Sequence, residues 1–210
     1  MAILGKMKNF YHKLFPRLAD YLKRELEGCE SILDLGCGQN SPLQHCPIPY
    51  SVGIDLFEPY LRESKRKGIH SEYVLADVRN IEFRPKSFDC VLATELIEHL
   101  TKEEGYRLIE KMERIARKKV ILTTPNGFLP QTSYDGNKFQ IHRPGWTVTE
   151  LKRLGYKVKG INGTKFLRKE RGELKLKILI LSDLTQKIVY HFPKFAFQLL
   201  AVKNVDNVEQ

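Results

Sequence analysis

The chain lacks any long hydrophobic run; its longest apolar stretches are only a few residues, far short of a membrane-spanning helix. Its first ten residues contain lysine and no apolar stretch of the kind found in signal peptides. We therefore expect a cytoplasmic location. Hydrophobic residues make up 42% of the 210 residues and charged residues 29%, a composition typical of a folded globular protein. We predict one domain over residues 1–210.

Cysteine is also scarce, and no two of the four cysteines form a C-x-x-C pair. One combination could be considered as a set of metal ligands, namely Cys37, His45 and Cys46, but its spacing does not match the patterns of zinc sites. We predict reduced, structural thiols, as is usual in a reducing compartment. No metal site is predicted.

Acidic residues are outnumbered, since 35 lysines and arginines face 25 aspartates and glutamates, for a net charge of +10. Such an excess is typical of proteins that bind nucleic acid, a membrane surface or a phosphorylated substrate. A lysine-rich solvated surface accounts for it equally well. The positive charge is densest in residues 152–177.

The most informative stretch is Ile32 to Asn40, which reads Ile-Leu-Asp-Leu-Gly-Cys-Gly-Gln-Asn. Its first residues form the apolar run of a strand that is buried on both faces. Gly36 and Gly38 then allow a tight turn and a close approach of the backbone to a ligand. A buried strand that ends in a glycine turn is typical of nucleotide-binding α/β sheets.

Strand-like and helix-like segments alternate along the rest of the chain, which predicts a Rossmann-like α/β fold. We expect an open, mostly parallel sheet with an antiparallel edge strand and with helices on both faces. The expected strands are 32–35, 51–56, 73–76, 88–94, 119–124, 157–161 and 195–202, and the expected helices are about 14–27, 58–67, 102–115 and 147–154. The prolines at 42, 47 and 49 restrict the first crossover to a turn or two of helix.

Three successive strands end in a carboxylate, at Asp34, Asp55 and Asp77. Ligands of parallel sheets bind outside these carboxyl ends. Asp55 follows the glycine turn by about twenty residues, the spacing at which an acid accepts hydrogen bonds from ribose hydroxyls. Each aspartate alone could merely cap a loop, but three at successive strand ends indicate a ligand site.

These motifs resemble those of class I S-adenosylmethionine-dependent methyltransferases. Asp-Leu-Gly-Cys-Gly at 34–38, Gly-Ile-Asp at 53–55 and Ala-Asp-Val at 76–78 are similar to the first three motifs of that family. The stretch from Phe88 to Glu95, followed by Glu-His-Leu at 98–100, is similar to the fourth-strand motif of the small-molecule branch. One departure is Asn40, where a third glycine is common.

The resemblance implies that S-adenosylmethionine is the cofactor and assigns a role to each matching residue. Asp34 would hold the methionine amino group, directly or through water, and Asp55 would bind the ribose hydroxyls. Asp77 would accept a hydrogen bond from the adenine amino group. The implied cofactor-binding residues are Asp34, Leu35, Gly36, Cys37, Gly38, Asp55, Leu56, Asp77, Val78, Thr94 and Glu95.

Other readings stay open at this point. A nicotinamide dinucleotide enzyme would need a third glycine at its required offset, and Asp34 would face a pyrophosphate. A protein that binds S-adenosylmethionine without turnover is a second alternative. Nucleic acid is disfavoured as a partner, because an acidic mouth repels phosphate and no Asn/Asp-Pro-Pro-aromatic motif follows the fourth strand. We expect a small-molecule, sugar-linked or lipid-linked acceptor, with RNA as the alternative.

A general base is needed only when the acceptor atom starts out protonated, and His99 and His142 are the candidates. The loop 127–146 is expected to contact the acceptor, with Phe128, Tyr134, Phe139 and Trp146 stacking on it or packing the loop. The insertion 163–193, basic and then apolar, is expected either to pack on the sheet or a second subunit of a homodimer, or to contact anionic membrane lipid.

Overall fold

In the computed structural model, residues 16–133, 135–168 and 179–205 are described, with the backbone alone for 179–183. Seven strands in these residues form one sheet in the order β3-β2-β1-β4-β5-β7-β6. The strands are β1 Ser31–Leu35, β2 Tyr50–Asp55, β3 Glu72–Leu75, β4 Phe88–Thr94, β5 Ala116–Pro125, β6 Lys157–Thr164 and β7 Ala196–Asn204. The helices are α1 Leu18–Glu25, α2 Glu58–Lys67, α3 Lys102–Ile115, α4 Val148–Arg153 and α5 Leu179–His191.

The sheet is parallel from β3 through β5 and changes direction at β7, which confirms the expected fold class. β7 pairs antiparallel with β5 on one side and with β6 on the other. The antiparallel strand therefore lies one position inside the edge that β6 forms. Because the strand order reverses between β1 and β4, the loops after these strands diverge and leave a crevice at their carboxyl ends.

Helices begin and end where local sequence signals are strong. α2 ends at Gly68, which adopts a left-handed φ of 63°, and α3 begins with a reciprocal capping box between Thr101 and Glu104. The proline-rich crossover contains only the single 3-10 turn Pro42–His45. α1 is shorter than expected, and residues 14 and 15 of the expected helix lie outside the described residues.

Apolar side chains pack on both faces of the sheet, so the helices form two outer layers. One core joins β strands to α3 and α4 through residues such as Leu108, Met112 and Leu151. The other core joins the opposite face to α1 through Leu22 and Leu26. The residues of β4 are almost completely buried, as its apolar run predicts.

The long connection between β6 and β7 contains α5, and its Gln186 side chain is buried against the Gly160 carbonyl. Gly160 has no room for a Cβ, because the Val189 carbonyl oxygen would be in direct contact with it. Among the described residues, every helix is too short or too polar to cross a membrane. Tyr134 of the expected acceptor loop and residues 169–178 of the expected insertion lie outside the described residues.

Candidate active site

A cavity of about 600 Å³ opens at the carboxyl ends of the parallel strands. Its volume lies in the range of small-molecule and cofactor sites. One wall is the glycine turn after β1, and the facing wall is the segment from Asn137 to Arg143. Of the expected site residues, those that line it are Gly36, Cys37, Gly38, Asp55, Leu56, Asp77, Val78, Thr94, Glu95 and His99.

The glycine turn is held to the end of β2 by hydrogen bonds. The Gly38 amide donates to one carboxylate oxygen of Asp55 at 2.8 Å, and the Phe57 amide donates to the other at 2.8 Å. Gly36 and Gly38 both have left-handed φ values, of 64° and 58°. A carboxylate has about four acceptor positions, so Asp55 can hold the turn and still accept from a ligand in the cavity.

Asp34 lies behind this turn, fully buried, and neither Asp34 nor Leu35 lines the cavity. The Ser41 hydroxyl donates to its carboxylate at 2.5 Å, and His70 Nε2 lies 3.6 Å from the same oxygen. Burial raises the pKa of Asp34 to about 7 and lowers the pKa of His70 to about 4. Any contact between Asp34 and a ligand therefore has to be indirect, through Ser41 or a neighbouring group.

Asp77 is engaged by a residue that the sequence motifs did not identify. The Arg79 guanidinium binds both carboxylate oxygens of Asp77, with Nε at 2.9 and 3.0 Å, and it reaches Glu104 at 2.8 Å. This contact holds the pKa of Asp77 below its usual range. The Asp-x-Arg spacing in the sequence could have predicted this ion pair, because the side chains at both positions project from the same short turn.

The residues after β4 form a strained corner on the cavity wall. Glu95 has a left-handed φ of 50°, which is rare for a residue with a side chain. Its carboxylate accepts a hydrogen bond from the Thr123 hydroxyl at 3.0 Å, and the protein around it raises its pKa through desolvation. Leu96 fills the space beside Gly36, where a Cβ would lie only 2.7 Å from its Cδ1.

Three side chains that the sequence did not connect meet just beyond this corner: Glu98, His99 and His142. The two imidazole rings lie 4.8 Å apart, centre to centre. His99 lines the cavity, whereas His142 does not. Burial and the neighbouring His142 lower the pKa of His99 to about 4. Glu98 is 2% exposed, and burial raises its pKa well above the usual range.

The loop 127–146 approaches the cavity as expected, but its aromatic residues differ in exposure. Trp146 is completely buried and donates through Nε1 to the Ile97 carbonyl at 3.1 Å, so it belongs to the core. Phe139 lines the cavity and is 41% exposed. Lys138 and Arg143 line the same opening. These cations could not be placed from the sequence, because the loop has no periodic pattern.

Comparison with known proteins agrees with this geometry. Residues 33–124 match the family model of a methyltransferase domain. The matched region contains the glycine turn, Asp55, Asp77 and the β4 corner. A chain from a Haloferax volcanii complex that contains the Trm112 methyltransferase activator superposes with a TM-score of 0.60 over 98% of this chain and 94% of that one, at 14% identity. The magnesium protoporphyrin IX methyltransferase of Synechocystis, solved with bound S-adenosylmethionine, superposes with a TM-score of 0.52 over 88% and 77% of the chains, at 17% identity.

Curated relatives match in sequence over about half of the chain. The human protein named "Probable tRNA methyltransferase 9B" is 30% identical over 104 residues, which are 49% of this chain and 22% of that protein. The Arabidopsis thaliana tRNA (carboxymethyluridine(34)-5-O)-methyltransferase is 28% identical over 116 residues, 55% of this chain and 26% of that protein. The match thus spans about a quarter of the length of these relatives.

The expectation against a nucleic-acid partner is wrong, because curated relatives are named as tRNA methyltransferases. That expectation assumed that the carboxylates at the opening of the cavity have no hydrogen-bond or ion-pair partners. Instead, Asp34 is buried, Asp55 is held by backbone amides and Asp77 is paired with Arg79. The absent Asn/Asp-Pro-Pro-aromatic motif concerns base amino groups alone. Membership of the small-molecule branch is not confirmed.

The family match confirms the expected enzyme class and cofactor, and the solved neighbours confirm the expected fold. Residues 33–124 therefore match a methyltransferase domain in sequence, and the chain has the fold of solved S-adenosylmethionine-dependent methyltransferases.

Proposed function

We propose that this protein transfers a methyl group from S-adenosylmethionine to RNA, with tRNA as the substrate class. The observation that carries the proposal is a pair of exposed cations, Lys138 and Arg143, on the cavity wall that faces the glycine turn. Neither has a salt-bridge partner among the residues that the structure describes. The tRNA methyltransferase relatives supply the substrate class.

Cations beside the cavity suit a substrate that carries phosphate on both sides of the reacting nucleotide. Each lysine or arginine that neutralises a phosphate releases condensed counterions and so strengthens binding at moderate salt. The net charge of +10 adds a long-range attraction for such a polyanion. An uncharged small acceptor would gain nothing from either feature.

Apolar side chains next to these cations suit an unstacked base. Phe139 and Ile141 are 41% and 44% exposed although they line the cavity, and Phe128 of the same loop is 59% exposed. Proteins that bind single-stranded RNA stack bases on exposed aromatic rings. Exposed rings beside these cations therefore favour a flipped or loop nucleotide over a base inside a duplex.

The cofactor would occupy the wall opposite this loop. We propose that Asp55 binds the ribose hydroxyls, that Asp77 and the Val78 amide bind the adenine, and that Thr94 and Glu95 border the methionine part. Gly36, Cys37 and Gly38 would pass under the methionine part, and Leu56 would cover the ribose. Asp34, which is buried, would act through Ser41.

The test is methyl transfer from tritiated S-adenosylmethionine to total tRNA by the full chain, compared with transfer to small-molecule and lipid extracts. We expect incorporation into tRNA. The double variant Lys138→Glu/Arg143→Glu should raise KM for tRNA by at least about tenfold for two lost phosphate contacts, with unchanged affinity for S-adenosylhomocysteine.

A charge-matched control keeps this test specific. Arg62→Glu/Lys157→Glu changes the net charge by the same amount, but neither residue lines the cavity. If both double variants raise KM equally, net charge rather than the proposed surface is responsible. Labelling of a small molecule or lipid, with no labelling of tRNA, would contradict the proposal.

A further inference from the structure

Glu98, His99 and His142 place one ligand atom each within 4.8 Å of one another. Among the described residues, this is the one cluster of histidine, cysteine and acidic side chains with such spacing. Cys37, His45 and Cys46, the combination considered from sequence, are not brought together in this way. Two imidazoles and a carboxylate are a common ligand set for divalent transition metals.

Both imidazole rings are oriented by backbone carbonyls. Nδ1 of His142 lies 2.7 Å from the Leu129 carbonyl oxygen, and Nδ1 of His99 lies 3.3 Å from the Ile141 carbonyl oxygen. A carbonyl oxygen only accepts, so each Nδ1 carries the proton and the lone pair of the neutral ring is left on Nε2. Metal-binding histidines are held in this manner, with the second nitrogen donating to a carbonyl.

Glu98 provides an independent observation. Both of its carboxylate oxygens are buried and have no hydrogen-bond partner among the described residues. The Thr124 hydroxyl is near, but it lies outside hydrogen-bonding geometry and is itself unpaired. A buried carboxylate without partners costs several kcal/mol in general. Positive charge beside it would remove that cost.

We propose that Glu98, His99 and His142 bind a divalent transition-metal ion at the wall of the cavity. Bonds of about 2.0–2.2 Å would bring the ligand atoms to about 3.4 Å from one another, a contraction of at most about 1.4 Å from their present spacing of up to 4.8 Å, which side-chain rotations can supply. The two nitrogen ligands favour zinc or a neighbouring first-row ion over magnesium or calcium, which prefer oxygen.

The position of the site gives the ion a role in the reaction. Because His99 lines the cavity, an ion bound to it has access to the acceptor. Three protein ligands leave further coordination positions for an acceptor oxygen, whose pKa a bound cation lowers. His99 and His142 are then ligands instead of the general bases expected from sequence. The binding site itself does not depend on the identity of the acceptor.

The experiment is calorimetric titration of the full chain, stripped with EDTA, with zinc chloride and then with cobalt chloride, in the absence of RNA and cofactor. We expect one ion per chain, and visible absorption bands for the cobalt form. Glu98→Gln and His142→Ala should each weaken binding by at least about 100-fold, since even indirect ligand partners contribute up to that much.

The matched control is His45→Ala/Cys46→Ser, which removes a histidine and a thiol outside the cluster and should bind zinc like the wild type. Loss of binding in this control would overturn the proposal, as would zinc binding by the wild type weaker than about 100 µM. If Glu98→Gln does not fold, His142→Ala decides, because His142 is only half-buried. Circular dichroism checks the fold, and full affinity in a folded His142→Ala would also refute the site.

Discussion

At the scale of single residues, Asp55 has two functions that can be measured separately. It holds the glycine turn through the Gly38 and Phe57 amides, and its remaining lone pairs face the cavity. Asp55→Ala should weaken S-adenosylhomocysteine binding by about 1.5–3 kcal/mol, the range for hydrogen bonds to a charged group, or roughly 10- to 150-fold. Calorimetry measures the affinity.

Glu72→Ala is the control for this prediction. It also removes one acidic side chain, but Glu72 is at the amino end of β3 and bonds to the Tyr50 hydroxyl. Its affinity should equal that of the wild type. An unchanged affinity in a folded Asp55→Ala variant would contradict the ribose assignment.

The placement of a residue at the cavity could be predicted from sequence where its side chain lies in a motif at a strand end. Asp55 and Asp77 line the cavity as the motifs indicate. Asp34 also lies in a motif at a strand end, yet its carboxylate is buried and bonded to Ser41. Side chains alternate between the two faces of a strand, and this alternation directs Asp34 away from the cavity. Arg143 and Phe139 could not be placed, since their positions depend on how a loop without periodicity folds back.

At the scale of elements, the turn after β1 allows the cost of backbone conformation to be separated from the cost of crowding. Gly36→Ala and Gly38→Ala both force alanine into a left-handed φ, which costs about 1–2 kcal/mol. Only at Gly36 would the new Cβ approach Leu96. Gly36→Ala should therefore lose a further 1–3 kcal/mol or so of unfolding free energy through overpacking.

Urea denaturation measures both variants, and Gly38→Ala is the matched control because nothing lies within 4 Å of its new Cβ. The double variant Gly36→Ala/Leu96→Ala should show a favourable coupling, because the clash disappears with the leucine side chain. Equal losses at the two glycines would mean that Leu96 moves aside freely.

Element boundaries followed from sequence where end signals are local. The expected bounds of α2, β4 and α3 agree with the structure, because Gly68, the apolar run in β4 and the helix start at Lys102 are decided by neighbours in the chain. The insertion of β7 between β5 and β6 follows from long-range pairing instead. No local signal specifies which of two adjacent strands will be outermost.

At the scale of the whole molecule, the fold unites groups that are far apart in sequence. His142 follows Glu98 and His99 by a strand, a helix and most of a loop, and it reaches them only because the loop after β5 returns across the end of β4. The Arg143 amide donates to the Glu98 carbonyl at 2.8 Å and fixes this return. A sequence pattern cannot reveal such a cluster, since the spacing is determined by the topology.

The pH dependence of global stability is also a property of the whole molecule, and two buried groups contribute to it with opposite signs. His70 has a pKa near 4 in the folded protein against 6.5 ordinarily. It stays neutral when folded and takes up a proton when unfolded, so its contribution is present above pH 6.5 and is lost as the pH falls towards 4. Asp34, with its pKa raised from 3.8 to about 7, contributes fully below pH 3.8 and loses this contribution as the pH rises towards 7.

Each substitution removes one of these two groups, so the difference in unfolding free energy from the wild type isolates the pH dependence that the removed group contributes. The unfolding free energy of the wild type relative to His70→Phe should fall by about 3 kcal/mol between pH 6.5 and 4, since each pKa unit corresponds to about 1.4 kcal/mol. Relative to Asp34→Asn, it should instead rise by a similar amount as the pH falls from 7 to 4. Urea titrations at half-unit pH steps measure both differences. Because each comparison follows the change with pH, a constant packing cost of either substitution cancels. A flat difference for His70→Phe would show that the His70 ring takes up protons equally in the folded and unfolded chains, and would contradict the prediction.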